Sequence, residues 1–358
     1  MRNKLTLDIL SPSDKIPLKL SSYAWDVLYS DMHLFYGETD GKRNEFISNI
    51  IANFYTESMA NIGSKVQKLN ALLEYSLPER AQDLYADSLY REIPSYEIHR
   101  KRKLNDPSKA HYDYVSLNSS TEKALDTEDR YLKKYFNNNP SHLVSCVIEE
   151  YCRLPFYMRE KIFYSDICKL IESACRNRFE LAVTYGNEKG ISAIIQPCML
   201  IKDSMQMYNY CICYARNPGE IRISETPVSL RLSTNTFREY RNSTSTFTLK
   251  DKDLETVYKM LSSRGPAYLP GKGTDAKVKL TREGLALYDR ILAQRPEGIF
   301  ASDTDKEDCI LTFTDVPEFQ LLKYFIRFED NAEILEPLHL RQKMIDTITK
   351  MMSVYHHL

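Results

Sequence analysis

Between Phe179 and Leu232 apolar residues alternate with polar ones or cluster in short runs: Leu181, Val183 and Tyr185, then Ile191, Ala193 and Ile195, then Tyr208, Tyr210, Ile212 and Tyr214. Turn chemistry separates such runs, at Asn187 to Gly190 and again at Asn217 to Glu220, where Asn, Pro and Gly suit tight reversals. The pattern predicts a compact all-β module of about five short strands, a small barrel. Nearer the start, Ile16, Leu18 and Leu20 alternate with Lys15, Pro17, Lys19 and Ser21, a short strand with one apolar face. Ser21 or Ser22 then caps a helix covered by Trp25, Leu28 and Met32. Gly37 to Gly41 breaks the chain, and a second helix starts near Lys42, Arg43 and Asn44. Helical patterns follow at 64–77 and 79–90, and at 121–136. Ser141 is expected to cap a helix over 143–152, Pro155 opens another, and Asp166 begins a third that leads into the barrel. After Leu232, residues 233–248 read as an exposed connection and 249–261 as a helix. From Lys277 to Tyr355 the order is strand, helix, hairpin (298–300 with 309–313), helix, strand, helix.

Composition narrows the partners. A chain of 358 residues suggests two to four domains. With a formal net charge of −1 there is no global basic field, so a nucleic acid must be held by local patches. One such patch is Arg100, Lys101, Arg102 and Lys103, flanked by Tyr96, Tyr112 and Tyr114; cations with rings suit a single strand, and a solvated linker has the same composition. Eight cysteines occur without CxxC pairs or a Cys/His tetrad, so no metal and no cofactor is expected, and Cys211 and Cys213 share a strand face as core residues. Unpaired thiols and the lack of a leader or a long apolar segment predict a cytoplasmic protein without membrane contact. Lys272 in Gly-Lys-Gly-Thr lacks the P-loop spacing, and no nucleophile elbow or catalytic dyad is found, so an enzyme is not expected.

Three resemblances run along the chain in order. The strand Lys15–Ser21 with its two helices resembles the ribbon–helix–helix fold, which implies an obligate homodimer whose paired strands present Lys15, Lys19 and Ser21 to duplex DNA. The start of its second helix, Lys42, Arg43 and Asn44, would hold a phosphate. Pro17 in the middle of the ribbon departs from that pattern, because proline lacks the N–H of a central pairing. The β-rich stretch resembles the WYL domain, an Sm-like barrel that binds a ligand or nucleic acid. The likeness lies in Tyr185, Pro197, the aromatic strand Tyr208–Tyr214, Arg222 and the ending PVSLRL, with Tyr208-Asn209-Tyr210 standing where the family has Trp-Tyr-Leu. It implies a binding surface of Tyr185, Tyr208, Tyr210, Arg222 and Arg231. Residues 277–355, with Asn331 to Pro337 and Leu340-Arg341, resemble the ferredoxin-like extension that accompanies WYL domains.

The fold class expected is therefore α+β and multidomain: a ribbon–helix–helix domain (1–61), a helical spacer (62–165), a WYL barrel (166–235) and a ferredoxin-like extension (236–358). The ordered set is most similar to WYL-domain accessory proteins of type VI-D CRISPR systems. That implies single-stranded RNA as ligand and modulation of an RNA-targeting effector. A dimeric DNA-binding regulator whose barrel senses a ligand, and a scaffold whose tyrosines are core, are the rival readings.

Overall fold

Ile16, Leu18 and Leu20 form one apolar face of a strand too short to bury it alone, so whatever packs on that strand organises the first part of the molecule. In the computed structural model, which describes residues 15–37, 41–76, 112–116, 139–186, 188–203, 207–240, 246–300 and 309–355, the neighbours come from the same chain. Two compact units are formed, Met1–Ser165 and Asp166–Leu358.

In the first unit β1 (Lys15–Lys19) pairs antiparallel with β2 (Tyr112–Ser116), with Ile16 opposite Val115 and Pro17 opposite Tyr114. The other edge of β1 meets α3 (Pro140–Arg153). There the Ser141 hydroxyl donates to the Pro17 carbonyl, the Lys19 N–H donates to Ser145 Oγ at 3.1 Å, and the Ser21 N–H donates to Glu149 Oε1 at 2.6 Å. Residues 141, 145 and 149 lie four apart, one column along a helix. Proline 17 fits because that edge is bonded by side chains rather than by a ladder. Both edges of β1 are thus occupied within the chain, and Ile16, Leu18 and Leu20 are buried without a second copy. The intermolecular ribbon expected from the sequence is not this arrangement, and its argument for an obligate dimer falls with it.

One core joins β1, α1 (Ser22–Tyr36), α2 (Arg43–Ser76), α3 and α4 (Phe156–Phe163). An expected boundary at residue 61 therefore falls inside α2 and inside this core. Asn139, not Ser141, caps α3, its Oδ1 accepting from the His142 N–H. Ser141 is instead engaged with β1. A buried carboxylate ties the helices together: Asp31 accepts from Arg159 Nε at 2.7 Å and Nη2 at 3.0 Å and from the Tyr151 hydroxyl at 2.9 Å.

The second unit begins with α5 (Ser165–Asn177) and a five-stranded antiparallel sheet. Its strands are β3 (Leu181–Tyr185), β4 (Ala193–Lys202), β5 (Asn209–Arg216), β6 (Val228–Arg231) and β7 (Asn235–Glu239), in the order β6-β5-β4-β3-β7. The edge strands β6 and β7 are joined by one short turn, Leu232–Thr234, so the sheet must curl to bring its edges near each other. A register shift between Pro197 and Met199 bends β4 in the middle. Strand β7 lies in the stretch read as an exposed connection. Its sequence NTFRE buries only Phe237, too little for an alternation to register.

The outer face of β5, with Ile212 and Tyr214, packs on Val257 and Met260 of α6 (Asp251–Arg264). Beyond it come β8 (Gly273–Leu280), α7 (Arg282–Arg290), β9 (Ile299–Phe300), β10 (Cys309–Pro317), α8 (Glu318–Phe325), β11 (Ala332–Glu336) and α9 (Leu338–Tyr355). They make an antiparallel sheet in the order β11-β8-β10-β9. The element order is the one the sequence pattern predicts for 277–355; the hairpin connection at 301–308 lies outside the described residues. Arg264 is buried and bonded to Asp315 and to the carbonyls of Leu269 and Gly271. Gly273 allows that approach, since a Cβ there would stand 2.0 Å from Asp315 Oδ1.

Candidate nucleic-acid interface

Strand alternation places residues 208, 210, 212 and 214 on one side of β5 and its approach. Towards Ile212 and Tyr214 that side is sealed: Tyr214 is buried, its hydroxyl donates to the Asp253 carbonyl, and burial together with Asp253 pushes its pKa up to about 12. At the other end the side opens, and Tyr208 and Tyr210 are half-buried. Arg231 stands opposite Tyr210 in the β5–β6 register and reaches diagonally to Tyr208, its guanidinium carbon 3.3 Å from the ring centroid. Its Nε donates to Ser233 Oγ at 3.0 Å, which helps hold the plane against the ring. Of the five barrel candidates, Tyr208, Tyr210 and Arg231 are thus brought together.

Tyr185 and Arg222 are not part of that group. From Tyr210 to Arg216 the strand runs six residues, roughly 20 Å at about 3.3 Å each, and Tyr185 and Arg222 line a groove at the Arg216 end. Arg222 lies in the turn before β6, exposed and paired with Glu225. Arg216 is itself committed to Glu180 at 2.8 Å, whose other oxygen accepts from Gln196.

The residues assigned to a DNA-reading ribbon scatter. Ser21 is buried: its Oγ accepts from the Ala24 N–H and donates to Glu149 Oε2, so it cannot enter a groove. Lys19 and Asn44 are exposed, Lys42 pairs with Glu45 at the start of α2, and Arg43 donates to the Tyr114 carbonyl. The side chain of Lys15 and the run Arg100, Lys101, Arg102 and Lys103 lie outside the described residues. No three His, Cys, Asp or Glu side chains converge as a metal site among the described residues, and none of the described helices is long and apolar enough to cross a membrane.

A second ring–cation surface was not anticipated. A groove of about 790 Å³ is lined by Tyr268, Lys272, Phe319, His339 and Lys343 among others. Phe319 is 58% exposed with the Lys323 ammonium 4.5 Å from its ring centre, and Glu318 accepts from both Lys343 and His339. Those two donors hold the Glu318 carboxyl below the usual carboxylate range. In the sequence PEFQLLKYF reads as an amphipathic helix, and nothing in the alternation says that its first ring faces outward.

Residues 272–352 match the WCX domain. The matched stretch runs from the start of β8 into α9 and supplies most of the groove, including Lys272, Phe319, His339 and Lys343, while Tyr268 precedes it. A solved structure described as "Crystal structure of a CRISPR Cas-related protein" is similar in fold, with a TM-score of 0.65 and 20% identity over 96% of this chain and 94% of that one. Proteasome accessory factor B/C of Arthrobacter aurescens matches over 65% of this chain and 35% of that chain, at 16% identity and a TM-score of 0.24. The comparison with curated proteins gave no match.

Proposed function

We propose that the protein is a non-catalytic regulator of the WYL type that holds single-stranded RNA on the second unit. The observation that carries this reading is the Arg231 guanidinium lying on the Tyr208 ring at the open end of β5. A planar cation that is already stacked leaves its outer face for a base, and a base above Arg231 adds a stacking partner without reordering the site. The same cation meets the phosphates of the strand, so stacking and charge act at one residue. RNA is favoured over a duplex because the ribbon that would read a groove is closed by α3, whereas rings at an open strand end suit unpaired bases. The WCX match and the fold shared with a CRISPR Cas-related protein support an assignment to CRISPR-associated WYL proteins. On that reading the bound RNA couples to an RNA-targeting effector, of type VI-D by the sequence resemblance, with an Sm-like barrel and a ferredoxin-like extension as the binding body.

The test is a titration of a labelled single-stranded RNA against the parent and Arg231→Ala at two salt concentrations. Arg231→Ala should weaken binding about tenfold and lower the salt slope by about one, the counterion of one phosphate contact. Duplex DNA that competes as well as the RNA would reject the assignment.

A further inference from the structure

Beside the Tyr208–Arg231 stack the second unit holds a cavity of about 200 Å³. Tyr208, Tyr210 and Tyr268 line it together with Arg295 and, from helix α8, Gln320. Gln320 is fully buried. Its amide nitrogen is doubly used, donating to the carbonyls of Arg264 at 3.0 Å and Gln294 at 3.3 Å, which fixes the orientation of the side-chain amide. The oxygen, Oε1, is then left buried with no hydrogen-bond partner among the described residues. An unmet buried acceptor costs on the order of 1–3 kcal/mol, so a donor that reaches it is favoured by about that much.

Size and wall chemistry narrow that donor. The volume equals six or seven waters at roughly 30 Å³ each, enough for one flat ring system and below the ~300 Å³ at which drug-sized pockets begin. Three tyrosines supply flat apolar walls, and Gln320, which also lines the cavity, carries the unmet acceptor that asks for an N–H. We infer that this cavity is a nucleobase pocket, in which one base enters among the tyrosines and donates an N–H from its edge to Gln320 Oε1. The inference rests on the RNA reading for its position, since the pocket shares Tyr208 with the proposed stack, and it extends that reading from a surface that holds any strand to a site that fixes its register. A base can come from a strand or from a free nucleotide, and the two sources separate by experiment.

The full-length protein is tested with the four nucleoside 5′-monophosphates by thermal shift and with a labelled 12-nucleotide single-stranded RNA by anisotropy. Two variants are used. Gln320→Met removes the acceptor together with two structural bonds and risks the fold. Ala267→Trp, at an exposed position on the rim, fills the mouth and removes no hydrogen bond. At least one monophosphate should raise the melting temperature of the parent, and Ala267→Trp should cancel that rise. The same variant should weaken the RNA about tenfold, the loss of one stacked base, with an unchanged salt slope. If Ala267→Trp binds RNA as the parent does and no monophosphate shifts the parent, the pocket holds only water and the inference is overturned, while a loss on Arg231→Ala still supports the RNA reading. If the parent binds no RNA but a monophosphate stabilises it and Ala267→Trp abolishes the effect, the pocket stands as a free-nucleotide site and the RNA reading fails.

Discussion

Ser21 and Arg231 are both sequence candidates for a nucleic-acid contact, and they end in opposite circumstances. Ser21 sits within the first unit, where its N–H and its hydroxyl are both bonded to Glu149 and its oxygen caps α1. Arg231 sits at the open end of a strand in the second unit, with one face of its guanidinium on a ring and only Nε in a hydrogen bond that the structure identifies, to Ser233. The same difference recurs around them. In the first unit Asp31, Ser145 and Glu149 are buried, Asp31 on the Arg159 and Tyr151 side chains and the other two on Lys19 and Ser21, so polarity there closes the unit. In the second unit Tyr208, Tyr268, Phe319 and Lys343 line cavities that reach solvent. A polar residue on a strand points to function only when the edge beside it is free.

That contrast can be broken by substitution, and the largest effect is expected at Asp31. Asp31→Ala leaves the Arg159 guanidinium and the Tyr151 hydroxyl without their shared acceptor in a buried site, and should destabilise the first unit by about 3–5 kcal/mol. Chemical denaturation measures it; a change under about 1 kcal/mol would mean that the cluster is hydrated rather than structural. Arg231→Ala, for comparison, removes one part-buried hydrogen bond and one ring contact and should cost about 1 kcal/mol.

Next in size is Gly273→Ala. The added Cβ meets Asp315 Oδ1 and the buried Arg264 guanidinium, and displacing that pair should lower stability by roughly 1–3 kcal/mol. An unchanged melting curve would show that the pair can move aside without loss.

Glu149→Gln keeps the shape of the side chain but replaces a charged acceptor of the Ser21 N–H and hydroxyl with a neutral amide. About 1 kcal/mol is expected, the difference between a charge-assisted and a neutral hydrogen bond. If the loss equals that of Asp31→Ala, the closing column on β1 matters more than the helix contacts suggest.

The smallest effect is at Glu318, which is partly exposed. Its donors Lys343 and His339 hold the folded-state pKa below the unfolded value, so its contribution is complete above the ordinary glutamate value, about 4.3, and disappears as pH falls through the folded value. Glu318→Gln should flatten the acid limb of a stability–pH curve and leave neutral pH nearly unchanged. A flattening on the alkaline side would contradict the assignment.

How much of this was legible follows the range of each interaction. The C-terminal strand–helix order could be read from 277 onwards because each element carries its own alternation, its own cap (Thr281 before α7) or its own proline (Pro317 before α8). The β5 face was legible for the same reason, two tyrosines at period two. Strand β7 was not, since one buried phenylalanine in five residues leaves no period. The fate of β1 was not legible either. Its apolar face says that something must cover it, and a second copy and a later segment of the same chain satisfy that face equally. What separated them was Ser141, Ser145 and Glu149, a column on a helix that reads as ordinary amphipathic sequence until the strand is beside it. Gln320 escaped for a different reason, because an unmet acceptor is a property of surroundings and not of a residue.

The closing of β1 also sets an order of events. The Lys19 N–H waits for Ser145 and the Ser21 N–H for Glu149, partners 126 and 128 residues further along the chain. A ribosome releasing this protein from its N-terminus therefore exposes Ile16, Leu18 and Leu20 long before the helix that seals them exists. During that interval the strand has two free edges and an uncovered apolar face, the state most prone to pairing with another nascent chain. Pro17 sits in the middle of it and has no N–H to offer a stray strand, so the residue that looked out of place in a ribbon shields the segment while it waits.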